Sequence, residues 1–327
     1  MGILATVLGL SIVASLFPDN LYLRFQLLKH TEQAEAQWIY ERIHFDNRPI
    51  DVLILGPSTT KLGLSSTRMK ERLTERDLSV EVVNFSVTFG GRDLIYAIVR
   101  EMFRAGRRPK LLVIGITERP SHFGHPAFKY LADPSDVLDS LYLVNLNYFS
   151  NLQYLPFRQM KLAAMSAFPT SFGTSPRFDP DLYYTYRDFD LARSPRLFDG
   201  TPFDRERKVP RATLLKAAAS YEGGAAKPIL PSVLADLEFG DETFYIPKIV
   251  KLANDYGTKV GFVYIPRFRG PPKSLYEAFY AHYGPVFDAS FITDSNQLFF
   301  EMPHLNRNGA LVVTDWLTDR IACLLVN

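Results

Sequence analysis

Four short runs of branched apolar residues, each cut off by turn-forming residues, limit most strongly what this chain can fold into. The first, VLIL at positions 52–55, stops at Gly56-Pro57. VEVVNF at 80–85 precedes Gly90-Gly91, and KLLVIGI at 110–116 and KVGFVYI at 259–265 complete the set. Apolar runs of this length without polar alternation read as strands buried on both faces. Helical patterns lie between them. After Gly91, the residues Leu94, Ile95, Ile98, Val99, Met102 and Phe103 recur at helical spacing, and Gly106 closes the segment. Ser65-Ser66-Thr67 is a helix-start signal that puts Met69 and Leu73 on an inward face. Further helices are predicted at 245–256 and 310–325. Strands that alternate with helices and are apolar throughout imply an α/β fold, a three-layer α/β/α sandwich around a mainly parallel sheet.

The chain has 327 residues, enough for one large α/β domain with an insertion or for two smaller domains. The pattern favours the former. Residues 50–118 and 241–327 read as two parts of one domain, and 119–240 as an insertion rich in Tyr, Phe, Pro and Asp. It is expected over the carboxyl edge of the sheet, as a lid or substrate surface. Its aromatics suit sugar rings or acyl chains, and equally packing within the insertion itself. Residues 21–49 read as a connecting helix. Residues 3–17, ILATVLGLSIVASLF, are uncharged and almost wholly apolar. At 15 residues they fall short of the roughly 20 that a membrane span needs. Counting past Pro18 to Leu23 brings them within reach. We read 1–20 as an uncleaved membrane anchor with the remainder outside the cytoplasm, on the periplasmic or extracellular face; the alternative is a buried first helix.

A formal net charge of +2 gives no electrostatic case for nucleic acid. The basic clusters at 104–108 and 204–211 lack interleaved aromatics and read as a solvated helix end and loop. A single cysteine, Cys323, excludes an intrachain disulfide and a thiolate metal cluster, and its apolar neighbours predict a small buried side chain.

In a parallel sheet, ligands sit just beyond the carboxyl ends of the strands. Ser58 falls there, directly after the first strand, as a nucleophile or else as an ordinary helix cap or turn serine. Serine needs a neighbouring base to accept its proton. Histidine serves best near neutral pH, and a carboxylate on its far nitrogen fixes the tautomer. Glu301 and His304, three residues apart in FFEMPHLNRNGA, supply both. Gly90 and Gly91 could offer backbone N–H groups to an oxyanion, alongside that of Ser58 itself. His122 and His125 in SHFGHP have no third ligand at suitable spacing and read as a polar loop, not a metal site.

These blocks resemble those of the SGNH (GDSL-type) hydrolase superfamily, in particular its membrane-linked polysaccharide O-acetyltransferase-like branch. ILGPSTT carries Ser58 in the nucleophile position, VVNFSVTFGG carries Gly90 or Gly91 where the family places an oxyanion glycine, and EMPHLNRNGA carries His304 as base. The likeness spans about 50–117 and 259–325 and leaves the insertion and the N-terminus uncovered. It implies an acyl-transfer enzyme, an O-acetyltransferase or acetylesterase working on an extracytoplasmic carbohydrate, with no cofactor or metal and with a membrane acyl-donor protein as a partner. Two residues depart from the pattern. Glu301 replaces the usual aspartate, and Thr117, in GITERP, stands where the hydrolases carry an oxyanion asparagine. The Thr117 departure motivates the rival expectation, an inactive carbohydrate-binding or assembly protein of the cell envelope on the same fold.

Overall fold

The structure is a computed structural model and describes residues 9, 13–14, 17, 19–117, 122–140, 145–180, 204–223, 230–234, 240–274 and 276–326. Two helices, α1 (Leu21–Gln26) and α2 (Ala36–His44), precede β1 (Val52–Leu55). There follow α3 (Ser58–Gly63), α4 (Ser66–Thr74), β2 (Val82–Asn84), α5 (Arg92–Arg104) and β3 (Leu111–Gly115). The middle of the chain contributes α6 (Phe128–Leu131), α7 (Pro134–Asp139), α8 (Tyr148–Ala167), α9 (Pro169–Phe172) and α10 (Arg211–Gly223). The remainder is α11 (Gly240–Asp255), β4 (Lys259–Tyr264), α12 (Glu277–Ala281), β5 (Val286–Asp288), β6 (Phe299–Glu301), β7 (His304–Leu305) and α13 (Arg307–Val326).

Strands β1 to β5 form one sheet in the order β2-β1-β3-β4-β5, and every neighbouring pair is parallel. Two-residue periodicity decides which side chains go where. Leu53, Leu55, Leu112, Ile114, Phe262 and Tyr264 face one helical layer, where Ile39 and Ile43 of α2, Ile98 and Met102 of α5, and Ile246 and Ile249 of α11 meet them. Val52, Ile54, Leu111, Val113 and Val263 face the other, with Met69 and Leu73 of α4, Leu214 of α10 and Leu317 and Ile321 of α13. Covering both faces is what allows the strands to be apolar throughout, and the architecture is the expected α/β/α sandwich.

Helices α1 and α2 do more than connect: Tyr22, Phe25, Trp38 and Ile39 are buried in the core beneath the sheet. The described parts of 119–240 spread around the domain. Leu214 and Ala218 join one face of the core, while Leu155 of α8 packs with Phe128 and Val137 in a small cluster of its own. Cys323 corrects its expectation, being exposed. Ile321 and Ala322 hold the inward positions of α13, and at about 100° per residue the next side chain turns outward. Among the described residues no helix is long and apolar enough to cross a membrane. The anchor expected at 1–20 falls almost wholly outside them.

Candidate active site

The strand order places the candidate residues before any side chain is considered. The chain steps from β1 outward to β2, then returns past β1 to β3, so the connections leave the carboxyl edge in opposite directions on either side of β1. Such a switch point opens a crevice at the strand ends. Ser58 follows β1; the segment with Gly90 and Gly91 follows the flanking β2; Thr117 follows β3.

Ser58 is the first residue of α3, and Pro57, not Ser58, occupies the cap position. Its hydroxyl is therefore not used as a helix cap. Thr60 seats the helix: a Cβ at Gly56 would fall 2.4 Å from Thr60 Oγ1, and one at Gly115 would fall 1.7 Å from it. Only glycine at both positions lets the helix close onto the ends of β1 and β3.

His304 and Glu301 face each other in an antiparallel hairpin, β6 against β7, with Glu301 paired to His304 across the Met302-Pro303 turn. The residues after His304 hold this hairpin to α13. Leu305 is buried, Asn306 Oδ1 accepts from the Gly309 N–H at 2.9 Å, and a Cβ at Gly309 would lie 2.3 Å from the Leu298 carbonyl oxygen. Ser58 Oγ lies 2.8 Å from His304 Nε2, and His304 Nδ1 is hydrogen-bonded to Glu301 Oε1. With the imidazole proton on Nδ1, His304 donates to Glu301 and accepts from Ser58. The hydrogen bond from His304 holds the Glu301 carboxyl below its ordinary range, against an opposing effect of burial. The Phe300 ring stacks nearly parallel to the imidazole, 15° apart with centroids 6.1 Å apart.

The two glycines part company. Gly90 is exposed and approaches Thr117, whose Oγ1 would be 3.8 Å from a Cβ built on Gly90. Gly91 faces inward: its Cβ would strike the His125 backbone N at 2.6 Å, so its lack of a side chain is required by packing. Gly90 is thus the one of the two that lies beside Thr117 at the strand ends. Phe89, immediately before it, combines a left-handed φ of 69° with a half-exposed ring. A bulky residue held so is strained, and strain of this kind gathers at functional sites.

His125 lies in a loop, as read from the sequence, but its side chain is fully buried. Its Nε2 meets the Thr88 carbonyl at 2.7 Å and its Nδ1 accepts from the Ala127 N–H at 3.0 Å. Those partners require the neutral Nε2–H tautomer, and burial lowers its pKa to about 4. Next to it, Asp93 accepts from the His125 N–H at 2.9 Å, and Asp241 accepts from the Arg92 N–H at 2.8 Å. Arg92 itself bonds Glu242 at 2.7 Å and the Gly115 carbonyl at 2.8 Å. Together they fix the start of α5, and with it the segment after β2. Burial pushes Asp93 up to about 7 and raises Asp241 well above the carboxylate range, with the Asp93 and Glu242 charges adding to the effect. Among the described residues no group of three His, Cys, Asp or Glu side chains could hold a metal.

The buried acids give a pH prediction. Asp93 and Asp241 keep protons in the fold that the unfolded chain releases, so their contribution is complete below about pH 4 and is lost as pH rises through about 7 and beyond. His125 works in the opposite direction, stabilising above its ordinary value of 6.5 and losing that contribution as pH falls through about 4. The two oppose each other below pH 6.5, and only the acids act above it. Melting temperature is expected to fall as pH rises above about 6.5, first with Asp93 and then with Asp241, and Asp241→Asn, which mimics the protonated acid, should flatten that fall. A variant with the wild-type slope in differential scanning fluorimetry would refute this.

The sequence reading missed Arg205, in the cluster taken for a solvated loop. Its side chain is buried and its Nη2 donates to the Leu62 carbonyl and to the Leu305 carbonyl at 3.3 Å. It thereby ties the helix that begins with Ser58 to the residue after His304. Burial lowers its pKa to about 10. Arg205→Met would strand two buried carbonyls and is expected to cost about 1–3 kcal/mol, read as a lower urea midpoint with unchanged slope. The only cue in the sequence was an arginine flanked by charges, which is as frequent on solvated loops.

No family model matches this chain, and no curated protein matches it either.

Proposed function

We propose that this protein is a serine acyl-transfer enzyme resembling the SGNH superfamily, which moves an acyl group, typically acetyl, between an ester and a carbohydrate hydroxyl or water. The observation that carries the reading is the 2.8 Å approach of Ser58 Oγ to His304 Nε2. Ser58 attacks the ester carbonyl while His304 Nε2 takes its proton. The C–O bond to the leaving alcohol then breaks, with that proton returned to the leaving oxygen, and an acyl-Ser58 remains. A sugar hydroxyl or water, deprotonated by His304, attacks in turn and releases Ser58. Glu301 orients the imidazole and balances its charge when protonated. The Gly90 segment, the Ser58 N–H and Thr117 are the nearest candidates for the oxyanion. Phe89 offers an aromatic face for a sugar ring at the same rim. In this proposal residues 1–20 anchor the chain in a membrane and the site works outside the cytoplasm, with a membrane protein as acyl donor.

A second reading, an inactive carbohydrate-binding or assembly protein, is supported by a sequence departure: the resemblance puts Thr117, with its short hydroxyl, where the hydrolases carry an amide donor. Loss of one such donor lowers rates by about 10²–10³. The deciding experiment treats the folded full-length chain with a fluorophosphonate and maps the adduct by peptide mass spectrometry. An adduct on Ser58 together with turnover of an acetyl ester supports the enzyme. Absence of both supports the binder.

A further inference from the structure

Helix α8 is 20 residues long, about 30 Å, and it has two unlike sides. Its inner side is conventional: Leu162 and Met165 pack on Leu23 of α1, and Leu155 packs on Phe128 and Val137. The outer side is not. Phe149 is 77% exposed, Phe157 56% and Met160 42%, and Phe168, just beyond the helix, is 63% exposed. Together with Gln153 and Ala164 they fall at spacings of three and four residues, so they form one stripe along the helix. Phe172 on α9 is also exposed. Scattered exposed apolar residues are ordinary, but three phenylalanines and a methionine aligned on one face mark an interaction surface.

Two further observations name the partner. Residues 140–178 contain no aspartate or glutamate, while Lys161 and Arg177 are exposed and basic; Arg158 is buried and bonds carbonyls inside the domain. Lys161 is exposed beside the stripe, and Lys29 Nζ, also at the surface, bonds the Gly173 carbonyl at 2.9 Å just after α9. An exposed apolar face with phenylalanines, flanked by Lys161 and Lys29 and without carboxylates in its own segment, suits the interface of an anionic bilayer. The second observation is where the apolar N-terminal segment arrives: the Phe17 carbonyl lies 3.5 Å from Gln159 Nε2 of α8. A segment suited to enter a membrane thus ends against the helix whose outer face suits a membrane surface.

We propose that the outer stripe of α8, continued by Phe168 and Phe172, lies flat in the headgroup region of an anionic lipid bilayer. It would fix the orientation of the domain on the membrane instead of leaving it free on a tether. The inference rests on the proposed function only in taking residues 1–20 as membrane-embedded, and it requires no catalysis.

The test uses the full chain carrying Cys323→Ser, with single cysteines introduced as Phe157→Cys, Met160→Cys and, as a control on exposed α10, Lys216→Cys. Each is spin-labelled and reconstituted into vesicles of phosphatidylcholine and phosphatidylglycerol. Labels at 157 and 160 are expected to show an oxygen-to-nickel-chelate accessibility ratio at least about fivefold above that at 216, and Lys161→Glu should lower it. Labels as open to the nickel chelate as that at 216 overturn the proposal. Labels shielded from both reagents overturn it too, since the face is then covered by protein, either a second copy or another segment of this chain. Fluorophosphonate-silent protein with lipid-exposed labels would refute the enzyme and leave this surface standing. Protein with lipid-exposed labels that carbonate then strips from the vesicles would refute the anchor alone.

Discussion

Ser58→Ala is expected to abolish fluorophosphonate labelling and to lower acetyl-ester turnover by about a million-fold, to the rate set by binding and oxyanion donors alone. The fold should survive. Ser58 is only half-buried, its hydroxyl has His304 as partner, and the N-cap position of α3 is held by Pro57 without a side-chain cap. The seating of α3 depends on Thr60 between Gly56 and Gly115, which the substitution leaves untouched. Melting temperature within a few degrees of wild type should therefore accompany the loss. Turnover within tenfold of wild type would remove Ser58 from the mechanism. His304→Ala should cost about as much and add nothing to Ser58→Ala in the double variant, since groups acting as one unit are not additive.

The next largest effect is expected at Glu301. Glu301→Gln keeps the size of the side chain but turns an acceptor into a group that can donate, so the imidazole can settle with its proton on Nε2, facing Ser58. In that tautomer it cannot accept the serine proton, and a loss of about ten-thousand-fold in kcat is expected with KM little changed. Glu301→Asp should retain more activity than Glu301→Gln, because charge and tautomer are kept while reach is shortened. The carboxyl is held below its ordinary range by His304. Its contribution to stability is therefore present above that ordinary range and lost as pH falls through the lowered value, and Glu301→Gln should remove that part of the acid transition. Equal kcat for Gln and Glu would show that this carboxylate does not orient the base.

Much of this arrangement could be read from the residues, and the limits of that reading are physical. The strands were plain because helices cover both faces of the sheet, so every position from Val52 to Leu55 had to be apolar. The LN-x-x-GA residues after His304 were legible because each has a local duty: Asn306 bonds the Gly309 N–H and Gly309 admits the Leu298 carbonyl. Arg205 was not legible, since its partners are carbonyls 143 and 100 residues away and carbonyls leave no trace in composition. Gly91 was read as a donor because glycine answers to open space and to crowding alike, and only the approach of His125 separates the two. Burial of Trp38 and Ile39 was hidden by the mixed charge around them; Glu41 bonds Tyr22 at 2.5 Å, and the pair buries its polar atoms together.

The hairpin carrying Glu301 and His304 is made late. Ser58 leaves the ribosome 246 residues ahead of its hydrogen-bond partner His304. Synthesis runs at about 5–20 residues per second, so on the proposed mechanism the serine spends on the order of ten seconds or more without the group that would activate it. A chain cut short ahead of residue 299 would carry the serine without its activator. On the proposed mechanism, the order of synthesis keeps the site incomplete until the closing segments have been made.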